Sequence, residues 1–285
     1  MRIQTSSPSV FHLMGQRDYQ QDSLFPNNEE ALLQHHFFIV CDGVGGCEHG
    51  ELASQTVTTR MAEILDNVDW EQEFTAEHFA EALAMTCHTL DQVAAGVDTA
   101  TTLTLLCTHS TGCLMAHIGD SRIYQLRPGK GIVYRSEDHS LVNDMVRSGK
   151  ITAQEALTHP DRNVITRCLQ PLSGRTHDRA TVRTTNDVRK GDLFLLCSDG
   201  VTDDVDDATL CELLLADDTC ESKANRLAAL CDDADDNATA ILIEVSGVED
   251  ATEPIYDTIQ EVAPQGETVL KTSVWSRIKR LWENL

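Results

Sequence analysis

The hydrophobic pattern of the chain contains three short apolar runs that each have an aspartate at one end. Short apolar runs bounded by turn residues predict buried strands. Strands of this kind can bring carboxylates from distant parts of a sequence to one place, and carboxylate oxygens are the ligands that hard divalent cations prefer. The pattern therefore predicts a divalent-metal centre. The three runs are FFIVC at 37–41 before Asp42-Gly43, LFLLC at 193–197 before Ser198-Asp199-Gly200, and ATAILIEV at 238–245 after Asp236-Asn237.

The rest of the pattern predicts further strands and several helices. Apolar residues at helical spacing indicate helices over 50–67, 76–95, 138–149, 204–216 and 220–231. Apolar runs indicate strands over 101–109, 113–119, 121–126, 132–135 and 180–184. Thr152 with Glu155 forms a capping box for a short helix. Ser110-Thr111-Gly112 is a hairpin signal, because the glycine can adopt a positive φ. We expect 159–178, which has little periodicity, to be a mobile connection or flap that contacts substrate.

The order of these elements predicts the fold class. Hairpin connections favour antiparallel pairing, and the helices come in pairs between groups of strands. This order indicates an α+β fold, in which two sheets form a sandwich with helices outside, rather than a doubly wound parallel sheet. A chain of 285 residues, 41% of them hydrophobic, can bury a sizeable core. We expect one domain over 1–246 and a C-terminal tail over 247–285.

Composition narrows the classes of partner. The chain has 22 Lys and Arg against 46 Asp and Glu, a formal net charge of −24. Such a charge repels phosphates and argues against a nucleic-acid partner, whereas it suits divalent cations. Most of these carboxylates also fit a solubilising surface. Ten cysteines without a CxxC pair fit small buried residues in a reducing cytoplasm. No apolar run approaches the roughly 20 residues that span a bilayer, so we expect a cytoplasmic protein.

A series of short motifs carries a family resemblance. Any one of them is weak evidence, but their order along 15–245 resembles that of the metal-dependent protein phosphatases of type 2C, the PPM family, and in particular the bacterial serine/threonine phosphatases. The motifs are Arg17-x-x-Gln20-Gln21-Asp22, Asp42-Gly43-Val44-Gly45-Gly46, Gly50-Glu51 with Ala53-Ser54, Gly119-Asp120-Ser121-Arg122, Asp138-His139-Ser140, Ser198-Asp199-Gly200 and Asp236-Asn237-Ala238-Thr239.

The resemblance implies a four-layer αββα sandwich with two or three Mn²⁺ or Mg²⁺ ions at one edge. The implied reaction is hydrolysis of phosphoserine and phosphothreonine by a hydroxide that bridges two of the ions. By position, Asp42 would bridge these ions, with the Gly43 carbonyl on one and Asp199 and Asp236 on the other. Asp22 would orient metal-bound water, and Arg17 would bind the substrate phosphate through its planar fork of donors. Asp120 with Asp199 would hold a third, weaker ion.

Simpler interpretations apply to each residue alone. Asp-Gly pairs commonly form ordinary turns, Arg17 could make a surface ion pair, and Asp120 could be a turn carboxylate. His139 and His49 lie near motifs and have the chemistry of a general acid, but a structural or solvent-facing role is the more frequent one.

Two positions depart from the family pattern. Gln21 replaces a carboxylate that would hold metal-bound water, which puts metal affinity in doubt. Val44 stands where some members have a histidine that protonates the leaving oxygen, so the general acid is unassigned.

The tail carries its own pattern. Its apolar residues fall near one helical face beside basic ones, which is typical of a segment that binds a partner groove or a membrane surface; folding back onto the acidic domain is equally consistent. The apolar residues are Trp275, Ile278, Leu281, Trp282 and Leu285, and the basic ones are Arg277, Lys279 and Arg280.

The leading hypothesis is a monomeric phosphatase that acts on phosphoproteins and opposes a serine/threonine kinase. A regulatory binding module with this fold and little or no activity is the alternative, supported by Gln21 and the tail. A Ca²⁺-binding protein is disfavoured because the sequence has no EF-hand loop.

Overall fold

The structure is a computed structural model that describes residues 1–27, 33–172, 176–249 and 254–265. Its centre is a pair of antiparallel sheets. The first has the order β1, β11, β10, β7, β8, with β2 also paired to β11, and the second has the order β12, β9, β6, β5, β4, β3. The strands are β1 Arg2–Thr5, β2 Ser9–Leu13, β3 Ser23–Phe25, β4 Phe37–Cys41, β5 Leu103–His109, β6 Gly112–Ile118, β7 Arg122–Arg127, β8 Gly131–Arg135, β9 Ala180–Thr185, β10 Leu193–Cys197, β11 Ala238–Glu249 and β12 Asp257–Val262.

Helices cover the outer faces of both sheets. They are α1 Gly50–Leu65, α2 Ala76–Val93, α3 Leu141–Arg147, α4 Ala153–Ala156, α5 Asp199–Thr202, α6 Asp207–Leu214 and α7 Cys220–Leu230. The capping box predicted at Thr152 and Glu155 is present at the start of α4. None of the helices in the described ranges is long and apolar enough to cross a membrane.

Three hydrophobic layers hold the sandwich together. Phe38, Phe194 and Ile241 belong to the layer between the two sheets. A second layer packs α1 and α2 against the outer face of the second sheet, with Met61 and Leu83 fully buried in it. A third packs α6 and α7 against the outer face of the first sheet. The predicted α+β sandwich with four layers, αββα, is therefore confirmed.

Strand register places the ends of distant strands at one edge of the sandwich. Ser23 pairs with Cys41, so the residues just outside this pair, Asp22 and Asp42, lie at the same end of β3 and β4. Cys197 pairs with both Arg122 and Ala240, which puts the chain segments that precede β7, follow β10 and precede β11 side by side. The aspartates of the predicted metal centre lie in these segments.

The sheets reach beyond the predicted domain boundary. The expected limit after residue 246 falls inside β11, and β12 adds an edge strand to the second sheet by pairing with β9. The strand pattern of β12 was not predicted, because five of its six residues are exposed and its sequence, DTIQEV, has no apolar run. The predicted amphipathic segment over 275–285 lies outside the described residues.

The hairpin between β5 and β6 was predicted correctly but for the wrong reason. His109 pairs with Gly112 across a two-residue turn, and Gly112 is not one of the glycines with positive φ. A Cβ atom on Gly112 would lie 2.4 Å from the Thr185 carbonyl oxygen and 2.7 Å from the Tyr256 hydroxyl. Close packing against the next strand therefore explains this glycine.

Candidate metal centre

Four aspartates from different strand ends meet at the edge of the sandwich, Asp22 buried and the other three half-buried. Asp42 follows β4, Asp22 precedes β3, Asp199 begins α5 directly after β10, and Asp120 precedes β7. The carboxyl group of Asp42 is close enough to those of Asp199 and Asp22 for their charges to interact. Asp120 is close enough to Asp42 and Asp199 for their charges to interact. The structure thus brings these four predicted site residues together.

Burial and mutual repulsion make this cluster costly without a cation. Burial raises the pKa of Asp22 to about 7 and that of Asp199 to about 6. Burial, together with the charges of Asp199, Asp22 and Asp120, raises the pKa of Asp42 well above its usual range. Burial and the charge of Asp199 do the same to the pKa of Asp120. A bound cation would remove this cost, because an opposite charge favours the ionised carboxylates.

The donor set fits hard cations that keep part of their water. Within the described ranges, no three His, Cys, Asp or Glu side chains have the spacing of a complete ligand set. Mg²⁺ and Mn²⁺ sites commonly use one or two carboxylates and complete their shells with water and carbonyl oxygens. The Oδ1 atom of Asp22 is buried and has no hydrogen-bond partner, which a bound cation or its water would supply. The residues present therefore fit the implied ions.

A close contact between two backbones shapes the turn after β4. A Cβ atom on Gly43 would lie 2.6 Å from the carbonyl carbon of Gly50, and one on Gly50 would lie 2.8 Å from that of Gly43. Only glycines allow the start of α1 to approach the Asp42-Gly43 turn in this way. The Gly43 amide donates to the Gln21 carbonyl at 3.1 Å, which ties the turn to the segment before β3.

Asp22 is held by Ser198, a residue to which the motifs assign no role. The Ser198 hydroxyl donates to Asp22 Oδ2 at 2.8 Å and accepts from the Thr239 amide at 3.0 Å. Ser198 is fully buried. Its position in the Ser198-Asp199-Gly200 motif was the only available signal, because residues 22 and 198 are far apart in the chain.

Arg17 and Asp236 lie at the same edge, where they form an ion pair. Arg17 Nη2 lies 2.7 Å from Asp236 Oδ2, with both side chains more than a third exposed. A Cβ atom on Gly45 would lie 3.4 Å from Arg17 Nη1, so the guanidinium also approaches the turn after β4. The predicted phosphate-binding arginine and the predicted ligand Asp236 thus neutralise each other in this conformation.

Asn237 fixes the loop that carries Arg17. Its Oδ1 accepts from the Gln21 amide at 2.8 Å, and its Nδ2 donates to the Met14 and Tyr19 carbonyls at 2.8 and 3.1 Å. The Asp236-Asn237-Ala238-Thr239 motif by itself implies no role for Asn237. The signal that could have identified it is the residue type, because asparagine is one of the few side chains that donate and accept at once.

The neutral amide at position 21 faces a carboxylate. Gln21 Nε2 donates to Glu51 Oε2 at 3.3 Å, and Glu51 lies in the first turn of α1. The family pattern has a carboxylate at position 21. In this chain position 21 is an amide, and the carboxylate of Glu51 lies beside it. The Gly50-Glu51 motif by itself implies no role for Glu51.

The histidines near the motifs occupy structural positions. His139 is buried and stacks flat on His117 with 4.5 Å between ring centroids. Burial and the neighbouring His117 lower the pKa of His139 to about 2, which makes it a poor proton donor at neutral pH. His49 is about half exposed and contacts Glu51 at 3.3 Å. The preference for structural roles agrees with these contacts.

A cavity of about 520 Å³ opens beside the carboxylates. Asp120 and Asp199 line it together with residues of β7, β8, α3, α4, α5, α6 and the predicted flap. The flap, described over 159–172 and 176–178, is held by backbone hydrogen bonds from Thr166 to His139 and between Leu169 and Thr101. The cavity therefore leaves Asp120 and Asp199 accessible from outside the sandwich.

Comparison with known proteins agrees with this geometry. Residues 15–229 match the family model of protein phosphatase 2C. The chain is 35% identical over 225 residues to the serine/threonine protein phosphatase PstP of Mycobacterium tuberculosis, a match that covers 77% of this chain but only 42% of that relative. It is 32% identical over 215 residues to the protein phosphatase PhpP of Streptococcus pneumoniae, covering 73% of this chain and 85% of the relative.

A solved structure extends the likeness to the fold. The catalytic domain of PstP, crystallised in complex with two manganese ions, superimposes with a TM-score of 0.67 at 27% sequence identity. The superposition covers 83% of this chain and 96% of that domain.

Proposed function

The chain belongs to the protein phosphatase 2C family, and we propose from this premise that it is a metal-dependent phosphatase of phosphoserine and phosphothreonine in proteins. The observation that carries the proposal is the convergence of Asp22, Asp42, Asp120 and Asp199 at one edge, beside an open cavity. The two manganese ions of the PstP catalytic domain support Mn²⁺ or Mg²⁺ as the cofactor. We propose that the protein acts in the cytoplasm and opposes a serine/threonine kinase.

The carboxylates would hold the ions and the attacking water. Two divalent ions supply an activated water nucleophile and neutralise charge on the phosphoryl oxygens. Asp42, Asp199 and Asp236 would bind them with the Gly43 carbonyl, and Asp120 would bind a third ion. The buried Asp22, held by Ser198, would orient the attacking water through its unpartnered Oδ1 atom.

Arg17 would bind the substrate phosphate. Its guanidinium stands at the mouth of the site and can donate two parallel hydrogen bonds to phosphate oxygens. The ion pair with Asp236 must open for this, because both groups have other partners in the working site. Since each is more than a third exposed, the pair contributes about 0–1 kcal/mol to stability, and opening it costs little.

The proposal is tested by assaying the purified full chain on a phosphothreonine peptide and on p-nitrophenyl phosphate, with Mn²⁺, Mg²⁺, Ca²⁺ or EDTA. We expect turnover that needs Mn²⁺ or Mg²⁺. Asp199→Asn should lose more than the roughly 10- to 100-fold that the loss of a supporting residue costs. Asp69→Asn is the matched control, because Asp69 is a surface aspartate whose hydrogen bond to the Glu71 amide an asparagine can keep.

Absence of turnover with every metal, in a protein that is folded by circular dichroism, would exclude the enzyme. The regulatory binding module would then be the better interpretation. Equal activity of the Asp199→Asn variant and the wild type would remove Asp199 from the site.

A further inference from the structure

A carboxylate of the last described strand is connected to the metal centre by hydrogen bonds. Glu261 lies on β12, beyond residues 15–229 that match the family model. Its Oε1 atom accepts from the Thr181 hydroxyl at 2.8 Å, and its Oε2 atom pairs with Arg167 of the predicted flap. Thr181 in turn contacts His139, with 2.9 Å between Thr181 Oγ1 and His139 Nε2.

The Gly119 backbone amide, which cannot turn away from the ring, sets the direction of the hydrogen bonds between His139, Thr181 and Glu261. The Gly119 amide donates to His139 Nδ1 at 3.2 Å, so that nitrogen must carry a lone pair and no proton. Arg167 Nη1 also lies 3.3 Å from His139 Nε2, but its two protons have nearer acceptors in the Glu261 carboxylate and the Arg179 carbonyl. We therefore assign the ring proton to His139 Nε2, which donates it to Thr181 Oγ1. The Thr181 hydroxyl is then free to donate only onward, to Glu261, whose ionised carboxylate is an acceptor.

His139 supports the turn that carries Asp120. Its ring accepts from the Gly119 amide, and its own backbone amide donates to the Gly119 carbonyl at 2.9 Å. The ring has little room to move, because it is buried and stacked on His117. Asp120 is the next residue after Gly119, so the orientation of the imidazole bears directly on where this carboxylate lies.

Removal of Glu261 would take away the acceptor of the Thr181 hydroxyl proton. The Thr181 hydroxyl could then donate back to His139 Nε2 and favour the other tautomer, with the proton on Nδ1. That proton would face the Gly119 amide proton and break the support of the turn. Partners of this outer kind commonly fix the tautomer and orientation of histidines at metal sites.

We propose that Glu261 is a positioning residue of the metal centre, which acts through Thr181 and His139 to hold the Gly119-Asp120 turn in place for a cation shared with Asp199. The proposal rests on the proposed phosphatase function for its kinetic consequence. The hydrogen-bond chain itself can be tested without any activity.

Glu261 also attaches β12 to the sheet, and this purely structural role needs a matched control. Asp257 lies on the same strand and makes a bidentate pair with Arg183, at 2.7 Å for both contacts. Arg183 leads to Gln125 and to the ring of Tyr134, away from the carboxylate edge. Asp257→Ala therefore removes a comparable attachment of β12 without touching the chain to His139.

The experiment compares Glu261→Ala, Thr181→Val, Thr181→Ser and Asp257→Ala in the full chain. Thr181→Val keeps the size of the side chain and the pair between Glu261 and Arg167 but removes the hydroxyl, and Thr181→Ser restores it. The first measurement is the Mn²⁺ concentration that gives half-maximal turnover, together with kcat and KM for a phosphothreonine peptide. The second is the tautomer of His139 from ¹⁵N chemical shifts, assigned with a His139→Asn variant.

We expect Glu261→Ala and Thr181→Val to raise the half-activating Mn²⁺ concentration by roughly 10-fold, with KM for the peptide unchanged. Thr181→Ser and Asp257→Ala should behave as the wild type. The ¹⁵N shifts should report the Nε2-protonated tautomer in the wild type, and a mixture of tautomers in Glu261→Ala.

Equal effects of Asp257→Ala and Glu261→Ala, or no effect of Thr181→Val, would overturn the proposal in favour of simple strand attachment. An Nδ1-protonated His139 in the wild type would overturn it as well. Failure of the phosphatase assignment is distinguishable, because the wild type would then show no metal-dependent turnover while the ¹⁵N shifts would still report on the chain.

Discussion

The hydrogen bonds of Asn237 give a sharp test of how the arginine loop is held. Asn237 is 3% exposed and joins three backbone groups of the segment from Met14 to Gln21, one by accepting and two by donating. Asn237→Ala removes all three hydrogen bonds. Each is worth about 1 kcal/mol net, so the variant should lose about 3 kcal/mol of the free energy of unfolding.

Asn237→Asp distinguishes the hydrogen bond that Asn237 accepts from the two that it donates. Asn237→Asp keeps the acceptor for the Gln21 amide but loses both donors and sets a carboxylate against the Met14 and Tyr19 carbonyls. Its loss of stability should therefore equal or exceed that of Asn237→Ala. If packing alone mattered, the nearly isosteric aspartate would be the milder change.

Urea denaturation in EDTA measures the effect on folding without a contribution from bound metal. We also expect a higher KM for a phosphothreonine peptide, because the loop carries Arg17. Arg17→Ala should then add little in the Asn237→Ala background, since changes that act through one group are not additive. A loss below about 0.5 kcal/mol, the range of ordinary surface substitutions, would refute the assignment of Asn237 as the clamp of this loop.

Two further predictions concern the carboxylate edge and the sheet. Burial raises the pKa of Asp22 to about 7. The folded, metal-free protein therefore keeps a proton that the unfolded chain releases near the ordinary aspartate pKa of about 4. The stability that this proton gives is fully present below about pH 4 and is lost as pH rises through about 7. In EDTA, Tm should therefore fall between about pH 5 and 7 and level off above about pH 7. The fall should be smaller in Asp22→Asn, and Mn²⁺ should stabilise most above about pH 7; a Tm that rises between about pH 5 and 7 would contradict the reasoning. Gly112→Ala should cost at least about 2 kcal/mol in urea denaturation, because its Cβ atom would lie 2.4 Å from the Thr185 carbonyl oxygen. Gly46→Ala, whose Cβ atom would have no neighbour within 4 Å, should stay within about 0.5 kcal/mol of the wild type, and equal losses would refute the steric argument.

Local patterns were enough to predict the strands that carry the site. FFIVC and LFLLC became β4 and β10, and their following aspartates lie where the apolar runs end. The capping box at Thr152 was predicted in the same way. These features depend on a few neighbouring residues, whose propensities act over one turn or one strand.

The edge strand β12 has no local sequence pattern that predicts it. Its residues are mostly exposed and polar, so no hydrophobic period marks it. It is held in the sheet by its pairing with β9 and by ion pairs to residues more than 70 positions earlier, such as Arg183 with Asp257. A boundary drawn after residue 246 followed the end of the apolar run and therefore cut through the sandwich.

The sequence by itself determined which residue types stand at the strand ends: three apolar runs with aspartates, a glycine turn after the first, and an ordered set of motifs. Only the tertiary structure decided which atoms support them. Ser198 holds Asp22 from 176 positions away, Asn237 holds the loop of Arg17, and Glu261 reaches the Gly119 turn through Thr181 and His139. Hydrogen bonds between distant segments depend on register and packing, which local sequence patterns do not specify.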